Sequence, residues 1–130
     1  NGMPKWSKIW QNATYNYKAK LIKAPKNDAR GVTYEVAYTL PDEQADVKVN
    51  YHLRPDGIFT VDYQFKPKNT ALPNIPRLAV ITIGETVQFY IDHLQMGVGC
   101  DTSWGRPVHE EYTIPPKKYN YSFIIQPTKQ

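Results

Sequence analysis

From residue 15 onward, apolar and polar positions alternate with a period of two, the signature of strands with one dry face and one wet face. The apolar sets are Tyr15, Tyr17, Ala19 and Leu21; then Tyr34, Val36, Tyr38 and Leu40; then Val47, Val49, Tyr51 and Leu53. Phe59, Val61, Tyr63 and Phe65 follow, and near the end Tyr119, Tyr121, Phe123 and Ile125. Only the start reads differently. In "PKWSKIWQN", Trp6, Ile9 and Trp10 recur at helical spacing with Pro4 in the first turn, which predicts one short amphipathic helix.

Turn signals separate these sets. "APKNDARG" divides the first two strands, "LPDEQAD" the next pair, and "RPDG" makes a tight hairpin around Asp56 and Gly57. "KPKNTALPNIPR" (66–77) is too long for a hairpin and predicts a crossover between sheets, with strand sequence resuming at Leu78. Seven or eight short strands at this spacing predict an all-β, antiparallel β-sandwich with one short N-terminal helix, folded as a single domain over 1–130.

Composition supports the β reading. Ten tyrosines, four phenylalanines, three tryptophans and eleven prolines in 130 residues suit strands and turns better than a helical bundle. The net charge of +4 is mild and comes with no basic cluster, so no nucleic-acid partner is expected. No apolar run approaches the roughly 20 residues of a spanning helix, and no membrane partner is expected. The single Cys100 excludes an internal disulfide and leaves the compartment open. The opening Asn1-Gly2 suggests a processed or excised piece.

Acid/base chemistry on a sugar needs two carboxyls facing one atom. Glu35 and Asp62 fall on polar strand faces, Glu110 and Glu111 are neighbours pointing to opposite sides of an extended segment, and Asp28, Asp42, Asp46 and Asp56 fall in turns. Solvated surface acids explain them. His93, Cys100 and His109 fit no compact zinc spacing, and His52 lies on a polar strand face. Cys100 has no accompanying nucleophile motif, and "GVGCDTSWG" does not lead into a helix as a phosphate loop would.

That leaves the loop "MGVGCDTSWG" (96–105). Gly97 and Gly99 permit backbone angles or close approaches that a side chain forbids. Asp101 and Ser103 can bond nearby amides and stiffen the turn. Trp104 is then either a cap on the end of the sandwich or an aromatic platform for the apolar face of a sugar.

"LQMGVGCDTSWGRPVHEEYTIPPKKYNYSFIIQP" resembles the C-terminal end of bacterial β-galactosidases of glycoside hydrolase family 2. The residues that carry the resemblance are Met96, Gly97, Val98, Gly99, Asp101, Ser103 and Trp104 in the loop. Pro107, Glu111 and Tyr112 match a following strand, and Tyr119 and Tyr121 the last one. "NGMPKWSKIWQNA" looks like the helix opening the family's last domain, and "RPDGIFTVDYQFKP" and "LPNIPRLAV" like its early strands. Cys100 stands where the family usually has a second glycine. The family domain is about twice this length. Here "PRLAV" runs through "ITIGE" directly into "TVQFYIDHLQMG", so 1–83 and 84–130 read as the two ends of that domain joined across an internal deletion.

The resemblance implies a shortened supersandwich of the galactose mutarotase type. It also implies that the catalytic glutamates of the retaining parent enzyme lie in a (β/α)₈ barrel this chain does not contain. The chain would be inactive alone, with that barrel as its partner and β-galactosides as its ligands. No cofactor is implied for this chain, the family's Mg and Na ions being held outside this domain. Trp104, with Asp101 and Ser103, would face the sugar at the active-site rim. Two rivals remain. A free-standing carbohydrate-binding module needs Tyr90 and Tyr112 exposed beside Trp104 on one face. A purely structural domain predicts an exposed apolar patch near Trp6 and Trp10, and missing central strands would leave an open sheet edge.

Overall fold

The alternating segments pair into antiparallel sheets in a computed structural model that describes residues 8–69, 71–83, 88–97 and 108–128. The seven strands among the described residues, with one short helix, make the all-β, antiparallel class predicted from the sequence. The chain divides into two compact units, Asn12–Thr70 with Lys117–Gln130, and Asn1–Gln11 with Ala71–Pro116.

The larger unit is a five-stranded antiparallel sheet of β1 (Lys18–Asp28), β2 (Gly31–Thr39), β3 (Ala45–Leu53), β4 (Phe59–Pro67) and β7 (Tyr119–Ile125), in the order β1-β2-β3-β4-β7. Register aligns the apolar sets into rows: Val36, Val49, Tyr63 and Tyr121 form one, and Tyr38, Val47, Phe65 and Tyr119 the next. Val47, Val49, Val61, Phe65 and Tyr119 are buried. Fully burying side chains of this kind contributes about 1.5–3 kcal/mol each, so these rows hold the sheet. Aromatic rings thicken the same face, with Tyr34 stacked on Tyr51 at 4.8 Å and Tyr63 tilted against Tyr121 at 4.9 Å. The Tyr38 and Tyr51 hydroxyls share a hydrogen bond of 3.2 Å. Burial, first of all, and then that bond push the Tyr51 phenol well above its ordinary range, and burial does the same to Tyr63.

Two tight turns set the register. Between β3 and β4, the Gly57 amide donates to the Arg54 carbonyl (3.0 Å) and the Arg54 amide to the Ile58 carbonyl (2.8 Å). Gly57 takes φ +82°, the left-handed step that lets a type I turn close a hairpin. Between β1 and β2 the turn is only Ala29-Arg30, with Asp28 opposite Gly31. A side chain on Gly31 (φ +117°) would run into the Leu53 carbonyl oxygen.

The start of the chain differs from expectation. Helix α1 covers Lys8–Tyr15, so Tyr15 closes the helix instead of opening a strand. Trp10 and Ala13, three apart, are its buried positions, while Trp6 lies outside the described residues. β1 begins at Lys18 and is exposed along its whole length. An edge strand has one neighbour to pack against, so Leu21 stays half exposed despite the alternation. The turn expected over "APKNDARG" is mostly strand. Pro25 sits within a register irregularity between Lys23 and Lys26, where a missing N–H costs no ladder bond. Asp46, expected in a turn, lies in β3 opposite Thr39 and Lys66.

The smaller unit is a two-stranded antiparallel sheet, β5 (Arg77–Ile83) and β6 (Gln88–Gln95), with Ile75, Leu78 and Ile114 buried. The segment 66–77 joins β4 of one sheet to β5 of the other, as predicted for a crossover. Backbone bonds knit remote segments: Ile75 donates to Ile114 (2.7 Å) and Met96 to Pro76 (2.9 Å). The Trp10 indole donates to the Pro73 carbonyl at 3.1 Å. Trp10 is therefore core and no part of the exposed patch that the structural-domain reading placed near Trp6 and Trp10, while Trp6 lies outside the described residues.

Candidate functional site

Asp101, Ser103 and Trp104, together with Cys100, lie outside the described residues. The stems of their loop are described. β6 delivers the chain to Gly97, whose amide donates to the Tyr112 carbonyl at 3.0 Å. A Cβ on Gly97 would come within 3.0 Å of the Tyr112 Cβ and 3.5 Å of the Val108 Cγ1. Gly97 thus serves the close approach predicted for it, and the described residues on either side of segment 98–107 meet there. The return stem is a 3-10 turn, Glu110–Tyr112, in place of the expected extended strand. The Tyr112 amide donates to the His109 carbonyl (2.9 Å), and the Thr113 hydroxyl to the Glu110 carbonyl (2.6 Å). Glu110 and Glu111 are exposed on this turn and do not straddle a strand.

Two exposed aromatics are described in this unit, one on the return stem and one further along β6. Tyr112 stands on the return stem with the His109 ring edge-on at 6.5 Å. Tyr90 lies on β6, with the Arg77 guanidinium 5.0 Å from its ring centroid. Arg77 Nε donates to Asp92 Oδ1 at 2.7 Å, and that bond raises the Arg77 pKa further. An aromatic face beside a guanidinium and a carboxylate is chemistry suited to sugar hydroxyls and ring C–H groups. At about 3.3 Å per residue, however, Tyr90 is roughly 17 Å along β6 from Gln95, where the loop stem begins. Tyr90 and Tyr112 are both exposed, as the module reading requires.

Other candidates stay apart. His52 Nε2 shares a 3.0 Å hydrogen bond with the Arg30 carbonyl. Among the described residues no three metal-ligating side chains come together. Glu35 pairs with Lys23 at 3.6 Å, and Asp62 is exposed on the polar face of β4. Two arrangements escaped the sequence reading. One is the Arg77–Tyr90–Asp92 cluster, which depends on how β5 pairs with β6. The other is an open depression of about 360 Å³ on the sheet's polar face, lined in part by Asn50, Asp62, Gln64, Asn120 and Ser122. Strict alternation put those five on the wet side, but only register brings them together.

Residues 81–125 match the family described as beta galactosidase small chain. Over this stretch the resemblance to the β-galactosidase small chain is borne out. The matched stretch runs from the end of β5 to the end of β7 and includes the glycine loop. A beta-galactosidase of Photobacterium profundum is 38% identical over 47 residues, 36% of this chain and 5% of that protein. One from Pseudoalteromonas haloplanktis is 44% identical over 41 residues, 32% of this chain and 4% of that protein. A beta-galactosidase of Vibrio vulnificus is 37% identical over 46 residues, covering 35% and 4%. The match thus spans about a twentieth of the length of these bacterial relatives. No solved structure matches the chain.

Proposed function

We propose that this chain acts as the C-terminal domain of a β-galactosidase, completing the rim of an active site whose reactive glutamates lie in a separate barrel. Trp104 stacks on the galactoside, and Asp101 and Ser103 hold and orient the loop beside its hydroxyls. The observation that carries this reading is the small-chain match over 81–125, which contains all three residues. The flanking residues support it: Gly97, just before segment 98–107, lies against Val108, just after it, and against Tyr112. Holding a platform in place before the sugar arrives lowers the ordering cost of binding. The chain contributes contacts and no proton transfer. Cofactors belong to the barrel's side of the assembly, with Mg and Na ions bound outside this domain.

The test has two arms. The chain alone, given a chromogenic β-galactoside, shows no turnover above background. In a β-galactosidase whose C-terminal segment is replaced by this chain, Trp104→Ala lowers kcat/KM at least ten-fold while the fold is retained. Turnover by the isolated chain, or an unchanged kcat/KM in the Trp104→Ala chimaera, overturns the reading.

A second reading, a carbohydrate-binding module, draws on the exposure of Tyr90 and Tyr112. It requires saturable binding of galactose or lactose to the isolated chain, tighter than millimolar and weakened by Tyr90→Ala or Tyr112→Ala.

A further inference from the structure

The five-stranded sheet has two edges of opposite character. β1 is eleven residues long, carries Lys18, Lys20, Lys23 and Lys26, contains Pro25, and is broken twice in register. If it paired with its own copy in the antiparallel register that uses the whole strand, Lys23 would face Lys23 and Lys20 would face Lys26. Like charges directly opposed across strands destabilise, and Pro25 removes a donor. This edge is closed to self-pairing.

β7 has none of these guards. "YNYSFII" has no charge, no proline and an unbroken register with β4, and the sheet ends there among the described residues. Ile124 and Ile125 at its C-terminal end are 64% and 43% exposed. One antiparallel register pairs all seven residues with a second copy, and it is self-complementary. Ser122 meets Ser122 at the two-fold, Tyr121 meets Phe123, Asn120 meets Ile124, and Tyr119 meets Ile125. Each residue keeps its face, so the aromatic rows of the two sheets run on without a break.

We propose that the outer edge of β7 is an interaction surface for a second copy of this chain, joined strand to strand about a two-fold axis into a ten-stranded sheet. The lysine-guarded β1 edges end the new sheet on both sides, so assembly stops at two. The surface is independent of the loop at 96–105 and of its proposed role with sugar.

Sedimentation velocity on the 130-residue chain over a range of concentrations reads this directly, with a reversible doubling of mass and no larger species expected. Ser122→Lys tests the axis. Ser122 is exposed and lies opposite Asp62 within the chain, so the new ammonium group is tolerated by the monomer and circular dichroism is unchanged. Across the two-fold it faces its own like charge and weakens the dimer about five-fold at low salt. Raising the salt concentration screens that repulsion and restores the dimer. A chain monomeric at every concentration, open-ended oligomers, or a dimer indifferent to Ser122→Lys would each overturn the proposal.

Discussion

The two units are held together by different means. In the five-stranded sheet, rows of Val, Phe and Tyr meet in continuous register across neighbouring strands, and the stability lies in buried side chains. In the β5–β6 unit the buried side chains among the described residues, Trp10, Ile75, Leu78 and Ile114, are accompanied by single backbone bonds between segments far apart in sequence, Ile75 to Ile114 and Gly97 to Tyr112. Tyr112, on the return stem of the glycine loop, and Tyr90, on β6, are the exposed aromatics described in that second unit. The regular sheet suits a support. The second unit, which carries the stems of the glycine loop, holds the segment proposed for recognition.

Three substitutions test that contrast, in falling order of effect. Phe65, 2% exposed, sits in the buried row of β4, so Phe65→Ala should cost about 3–5 kcal/mol in urea unfolding. A loss below 1 kcal/mol would mean the rows do not hold the sheet. Gly97→Ala should cost about 1–3 kcal/mol, because the new methyl crowds the Tyr112 Cβ. Its effect should be local, with faster hydrogen exchange at the Ile75 and Met96 amides and little change at Val47. Equal loosening of both units would erase the distinction drawn between them. The smallest effect concerns pH. Burial holds the Tyr63 phenol protonated in the folded chain beyond the ordinary value near 10, while the unfolded chain ionises there. The resulting stability is complete below pH 10 and falls as pH rises above it, by up to about 1.4 kcal/mol per pH unit. Tyr63→Phe should make the decline between pH 10 and 11.5 shallower, Tyr51 supplying a share of its own, and an unaltered slope would count against the buried phenol.

The strands of the sheet were legible because alternation is local: β2, β3, β4 and β7 lie where their period-two sets put them. Errors arose where the same letters carry two meanings. Pro25, Asn27 and Asp28 resemble a turn, yet an irregular edge strand accommodates them as well. Tyr15 extends the alternation, but Trp10 and Ala13 claim it for the helix. Whether a strand ends up central or at an edge is decided by its neighbours, so nothing in β1 itself announced that Leu21 would stay half exposed. At the candidate site, Gly97 was readable because a tight contact demands a missing side chain. The Arg77–Asp92 bond was not, since it depends on pairing between two strands.

Phe65 near the end of β4 and Tyr119 at the start of β7 are direct neighbours in the ladder, although some fifty residues of chain separate them. Whatever leaves the sheet after Pro67 must therefore come back to the same spot. The stretch between those two posts can change in length while the β4–β7 pairing stays as it is, as in a domain insertion. Such a layout gives a lineage freedom to lengthen, trim or retune the exploratory portion of this chain while its frame stays intact.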